Sequence, residues 1–450
     1  MRTPQQLRFW TFYCSVLLVS ISISLPIEAQ EFEIQTHTLK NGMKVLIQPD
    51  HSIPNVALYI TYRIGSRNER PGTTGLSHFF EHMMFNGAKR YGPGVIDKVM
   101  SSNGGSINAM TTQDITIFMD WFPRTALPLV FDIESDRMQN LSLDSHSIQE
   151  EREVVASERR TSVDASNDGI LGEQLQATAY IAHPYQWPVI GWPSDIQNWT
   201  LEDLRHHYEI GYSPSNATMV VVGDVTVEEV LQLCEKYIEP IPARTTPPLV
   251  TTVEPEQLGE RRLVVHKPAE LPLLELAYHV PQATSPDYYA LHILRTILFD
   301  GLSSRTYRRL VDKDQIAVSV GAFYPWALDP TLLTINVQPR EGISPEQCEK
   351  AVQEEIARLK TERVTDREMQ KAINMRLVDA YQQVRTISGR ADAIGAYEVF
   401  FGDYKKLFSV PDNYKAVTAQ DVLRVANKYF SANNLTVATL MPDNTQEGKQ

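Results

Sequence analysis

The sequence predicts an α+β fold of two homologous domains, each a β-sheet with helices packed on it, and three observations lead there. Strand-like apolar runs at residues 56–64, 114–122 and 219–222 alternate with segments of helical period, the mixture expected of layered α and β structure. A proline- and threonine-rich stretch at 240–255, with Pro240, Pro242, Pro247, Pro248 and Pro255, interrupts that alternation near the midpoint and reads as an extended linker. The parts on either side repeat one another. Phe79, Phe80, Met84, Phe85 and Gly87 recur 214 positions on as Ile293, Leu294, Leu298, Phe299 and Gly301. Tyr212, Ser213, Asn216 and Thr218 recur 218 positions on as Phe430, Ser431, Asn434 and Thr436, each set leading into a β-branched strand. Duplication of one unit accounts for both shifts.

Of the 450 residues, 42% are hydrophobic and 22% charged, which is globular composition with enough length for sizeable cores. The 42 basic and 55 acidic residues give a net charge of −13, and no basic run appears, so a nucleic-acid partner is not expected. Arg2 and Arg8 precede an uncharged, largely apolar stretch at 9–25 that Pro26 closes. That is the layout of a secretory signal, with cleavage after Ala29, near Gln30. It predicts an exported chain, periplasmic or secreted, without a stable membrane span once the signal is removed. Retention of the stretch as an N-terminal membrane anchor is the alternative, against which its shortness counts. The expected organisation is a signal at 1–29, a first domain at 30–240, a linker at 241–258 and a homologous second domain at 259–450. Cys14 lies in the signal, and Cys234 and Cys348 form no CxxC or Cys/His pattern. Both read as core residues, so any metal must be held by nitrogen and oxygen.

His78, Phe79, Phe80, Glu81 and His82 form an HxxEH pentad after Thr73, Thr74 and Gly75, where a helix is expected to start. At about 100° per residue the two histidines project from adjacent turns of one face, which lets two imidazoles grip one metal ion. Glu81 falls one turn after His78, within reach of a water on that metal without being a ligand itself. A third ligand is required. The helical segment at 147–162 offers Glu150, Glu151, Glu153 and Glu158. Glu151 and Glu158 are seven apart, two turns, with Val154 and Val155 on the face between them, whereas Glu150 and Glu153 flank that face. Two ionised carboxylates on an apolar stripe are costly without a cation, so the pair fits one ligand and one supporting acid.

On these residues the chain resembles the pitrilysin and insulinase family of zinc metallopeptidases, in its short, two-domain, processing-peptidase-like branch. The resemblance spans nearly all of the chain after the signal. It implies one zinc per chain on His78, His82 and Glu158, the glutamate 76 residues after His82, with Glu81 as general base and Glu151 assisting the site. It also implies that the stretch from Gly104 to Thr111 is a substrate edge at which Asn108 and Ala109 contact an extended peptide. In the second half His292, Arg295 and Thr296 stand where the pentad would recur, a set that cannot hold zinc. The chain departs from the family where self-sufficient members carry an arginine and a tyrosine, because Val311 and Val318 occupy those places. Arg305 and Tyr307 lie nearby but within the repeated helix frame, where a structural role is expected.

The function expected is therefore an exported zinc metalloendopeptidase acting on peptides or unfolded segments, with a heterodimeric partner supplying the arginine and tyrosine in preference to a homodimer. The alternatives are a non-catalytic scaffold or binding subunit of a peptidase-like complex, and a zinc hydrolase of non-peptide amides.

Overall fold

The computed structural model describes residues 32–443, so the leader expected at 1–29 lies outside the described residues. Among them, no helix is long and apolar enough to cross a membrane. The first of two sheets contains β1 (Gln35–Thr38), β2 (Lys44–Pro49), β3 (Asn55–Tyr62), β4 (Ser106–Thr111), β5 (Thr116–Pro123) and β6 (Ala217–Gly223), in the order β1-β2-β6-β3-β5-β4. The three apolar runs become its β3, β5 and β6. The second contains β7 (Arg261–Lys267), β8 (Leu273–Val280), β9 (Ala317–Phe323), β10 (Thr331–Pro339) and β11 (Leu435–Pro442), in the order β7-β11-β8-β10-β9. Without β1 the two orders are the same. Each sheet holds one parallel pair, β2 with β6 and β7 with β11, and is otherwise antiparallel.

The repeated residues do the same work in both halves. Asn216 Nδ2 donates to the carbonyls of Gly211 and Arg63, at 2.8 and 3.2 Å, and Asn434 Nδ2 donates to those of Tyr429 and His279, at 2.7 and 2.9 Å. Each asparagine so fastens the end of a helix, α4 (Leu201–Gly211) or α8 (Ala419–Tyr429), to the neighbouring strand. Both helices start with the same capping box, Thr200 with Asp203 and Thr418 with Asp421.

Five further helices matter for the site and its support: α1 (Leu76–Met83), α2 (Ser145–Arg159), α3 (Asn167–Ala179), α5 (Tyr288–Phe299) and α6 (Asp366–Gln383). One more, α7 (Ile387–Phe400), alters the picture of two separate domains. It belongs to the second half by sequence but packs on β3 and β6 of the first sheet, while α3, from the first half, packs on β7, β8 and β11 of the second. Leu46, Ala57, Tyr59, Val220 and Val222 thus join one core with α7, while Val45, Ile47, Leu58, Ile60 and Val221 on the opposite face join the core of the first half. Arg390 of α7 donates to Gln48 Oε1 at 2.9 Å and pairs with Asp50, and Glu398 pairs with Lys44 at 2.6 Å. The halves exchange one helix each, and residues 32–443 form one compact unit.

Residues 242–258 carry neither helix nor strand. The stretch is nonetheless tied down at its far end, where Glu254 accepts from the backbone N–H groups of Ile181, Ala182 and His183 at 2.9 to 3.0 Å. Cys234 and Cys348 are buried and unpaired.

Candidate metal centre

The helix that carries the pentad is set before it begins. The Glu69 carboxylate accepts from the backbone N–H groups of Gly75 and Ser77, both at 2.7 Å, taking up donors that the first turn of a helix leaves unpaired. Asp195 accepts from the backbone N–H groups of Gly72 and Thr74, at 3.0 and 3.2 Å, in the turn that leads into the helix. Gly75, at φ +91°, has to be glycine, since a Cβ there would lie 2.5 Å from the Ile190 carbonyl oxygen. Phe79, Phe80 and Met83 are fully buried on the inner side of α1 and leave His78, Glu81 and His82 on the outer side.

Glu158 comes from the end of α2 and faces both histidines. Its oxygens lie 3.7 Å from His78 Nε2 and 3.3 Å from His82 Nε2, and one donor atom from each of the three residues falls within 4.8 Å of the others. Ligands about 2.1 Å from a tetrahedral zinc stand about 3.4 Å apart, so the set fits that ion. The two histidines differ in what holds their protons. Burial, with the neighbouring His82, pushes His78 down to about 3, which keeps it neutral. Burial also acts to lower His82, but the hydrogen bond and charge of Glu151, then Glu158 and Glu81, outweigh it and leave the group raised.

Glu151 accepts from His82 Nδ1 at 2.7 Å and from Asn86 Nδ2, which directs His82 Nε2 toward Glu158. Glu81 lies beside the set, and its Oε2 accepts from Thr111 Oγ1 at 2.5 Å. Burial raises the Glu81 carboxyl above its ordinary value. A cavity of about 400 Å³ adjoins these groups, lined by Glu81, His82, Phe85, Asn86, Asp97 and Glu151.

Two details differ from the sequence reading. Val155 is buried but Val154 is 50% exposed, so the valines do not share one stripe. At about 100° per residue, Ile148, Val155 and Arg159 centre the inner face of α2, Glu151 and Glu158 lie on its margin, and Val154 falls beyond it. Asn86 and Thr111 each hold one of the site carboxylates, a role the sequence did not suggest for either: Asn86 carried none, and Thr111 only its place in the substrate edge. Their only signal was position, one turn after His82 for Asn86 and the end of the glycine-led strand for Thr111.

Asn108 and Ala109 sit on β4, the outermost strand of its sheet, which pairs with β5 alone. Asn108 is exposed and Ala109 half-buried on the face shared with Thr111. In the second half the Asp300 carboxylate takes up Arg295, Thr296 and Arg376 at 3.0 to 3.1 Å, and His292 is buried among Tyr288, Tyr324 and Tyr414. Fixed guanidinium groups thus occupy the ground between α5 and α6. Arg305 is committed to Glu368 by a two-bond fork at 2.7 and 3.0 Å, and Val318 is 48% exposed on the outermost strand β9.

The family profile for Insulinase (Peptidase family M16) matches residues 44–191, and that for the Peptidase M16 inactive domain matches 198–376. The chain is 32% identical over 432 residues to the zinc protease PqqE of Helicobacter pylori, covering 95% of this chain and 97% of that one. It belongs to the insulinase, or M16, family of peptidases. The crystal structure of a protease from Helicobacter pylori superposes on this M16 chain with a TM-score of 0.88 at 32% identity, covering 92% of this chain and all of the other. The probable mitochondrial-processing peptidase subunit beta of Arabidopsis thaliana is 24% identical over 420 residues, covering 91% of this chain and 78% of its own. The first profile covers β2 to β5 of the first sheet, and the profile of the inactive domain takes in β6 and then β7 to β10 of the second.

Proposed function

We propose that the chain is an exported zinc endopeptidase that cleaves extended peptides or unfolded segments, with one zinc per chain on His78, His82 and Glu158. The observation that carries this is the convergence of three donor atoms at zinc-ligand spacing, with the Glu81 carboxylate alongside. Zinc held there supplies Lewis acidity toward water and the substrate carbonyl. Glu81 takes the proton of the attacking water on Oε1, the oxygen that Thr111 leaves open, and passes it to the leaving amine. Its burial favours the protonated form and so makes it a better base. Glu151 holds His82 in the tautomer that presents Nε2. The free edge of β4, with Asn108 and Ala109, receives the peptide as an added strand.

Export rests on the leader-like first 29 residues. The partner rests on Val311 and Val318 standing at the arginine and tyrosine places, and on the pairing of Arg305 with Glu368, which removes the nearest substitute. A homologous subunit carrying both groups would complete the site across the substrate. The test is metal analysis of the purified chain together with cleavage of an unstructured peptide library, with and without a co-expressed homologue. Absence of bound zinc from the purified, zinc-exposed chain would overturn the reading.

A further inference from the structure

The Glu158 side chain is 41% exposed, so its own contacts do not fix it. The backbone gives it little help, because the chain leaves α geometry just beyond it for a wider turn at Arg160–Asp164. Something else has to set the last turn of α2.

The next residue does. Arg159 is almost fully buried, and its side chain points about 100° away from that of Glu158, so anchoring it sets the rotation of the turn without touching the carboxylate. Arg159 Nη1 donates to Glu173 Oε2 at 2.7 Å and to the Gly191 carbonyl at 2.8 Å, and Nη2 donates to Glu173 Oε1 at 3.0 Å. Asp164 lies 3.4 Å from Nη2 on the turn itself. These partners belong to different bodies. Glu173 is on α3, the helix that covers the second sheet. Gly191 lies against the start of α1, where a Cβ on it would fall 2.4 Å from the Thr74 carbonyl oxygen.

We propose that Arg159 is a positioning residue of the metal centre, tying the end of the Glu158 helix both to the start of the His78/His82 helix and to the helix seated on the second half. The inference rests on the ligand assignment above and goes beyond it, because it gives the half without metal residues a part in placing the third ligand. A planar fork that fills three acceptors is a job for arginine, and lysine, a single point donor, cannot reproduce it.

The test uses the full chain with three variants: Arg159→Lys, the apolar pair Arg159→Met with Glu173→Leu, and Glu158→Ala. Apolar replacement of both members of a buried ion pair is commonly neutral for stability, so the pair variant separates folding from positioning. Each protein is melted metal-free, titrated with zinc against a chelating dye, and loaded with cobalt(II) for its visible spectrum. The expected result is a pair variant that melts like the parent, binds zinc about 10- to 100-fold more weakly and has a shifted cobalt spectrum, with Arg159→Lys between it and the parent. Parent-like zinc affinity and cobalt spectrum in the folded pair variant would overturn the proposal, and so would a pair variant whose loss of zinc merely follows a loss of fold that Arg159→Lys does not share while binding like the parent. Full zinc retention by Glu158→Ala would overturn the ligand assignment itself, and the proposal with it.

Discussion

Glu81 and Glu158 differ by what surrounds them, and that difference separates two kinds of loss. Glu81→Gln removes the proton acceptor but no ligand, so the protein is expected to retain about one zinc while hydrolysis drops ~10² to 10⁴-fold. Near-parent turnover by the metal-replete variant would refute the base. Glu158→Ala is expected to lose metal, whereas Glu153→Ala, exposed on the same helix, should bind zinc like the parent, as read by metal analysis after dialysis. A residue of the second sheet sets a pH dependence. Glu275 is buried on β8 with one oxygen on Asn336 at 2.7 Å and the other unpartnered, and burial, then the charge of Asp168, pushes it up to about 7. The folded state therefore holds this proton more tightly than the unfolded one. The resulting stabilisation is complete below the unfolded value and is lost as pH rises through about 7, to an extent on the order of 3 kcal/mol. Melting curves from pH 5 to 8 should show that slope in the parent and a shallower one in Glu275→Gln; equal slopes would show that the group is not protonated in the fold.

Among the elements, α1 and the loop at Gly191 meet more closely than any side chain allows. Gly191, at φ +86°, approaches the Thr74 carbonyl so closely that Gly191→Ala must displace backbone, at a cost of about 1–3 kcal/mol or more, visible as a lowered melting temperature. The HxxEH helix and the strands β3, β5 and β6 were legible in the sequence because their signals are local: a spaced ligand pattern and continuous β-branched runs. The ligand face of α2 was legible for its carboxylates and misread for Val154, since the two valines lie about 100° apart on either side of the carboxylates and spacing alone does not say which side is buried. The destinations of α3 and α7 were not legible at all. Both contain small residues, Gly172 in one and Gly389 and Gly395 in the other, and no clear apolar stripe, and nothing local in such a helix says which sheet it will join. The same holds for Arg159 and Glu173, 14 apart, whose pairing depends on two helices turning back on one another.

For the whole molecule, the exchanged helices make the halves interdependent. Expressed separately, residues 32–240 and 259–443 should each expose one apolar sheet face and fail to give a dispersed, folded spectrum, while co-expression restores a soluble complex. A folded, monomeric half would contradict the exchange. The proposed partner sets a second expectation. The isolated chain should hold zinc yet turn over slowly, and a homologous partner carrying the arginine and tyrosine should raise the rate by ~10² or more, given what one such donor contributes. Robust turnover by a demonstrably monomeric or homodimeric preparation would exclude that requirement.

The linker has a consequence of its own. Leu249 and Val253 are 87% and 75% exposed in a segment that forms no helix or strand, which makes this stretch an accessible place to cut the chain. A nick there severs the covalent path between the sheets but breaks none of the contacts made by α3 and α7, nor any bond at the metal centre. The cleaved protein is expected to migrate as two bands under denaturing conditions and as one species in gel filtration. It should keep its zinc. A proteolysed preparation would then pass for intact by size, metal content and activity alike, and only a denaturing measurement would reveal that the molecule has become two chains.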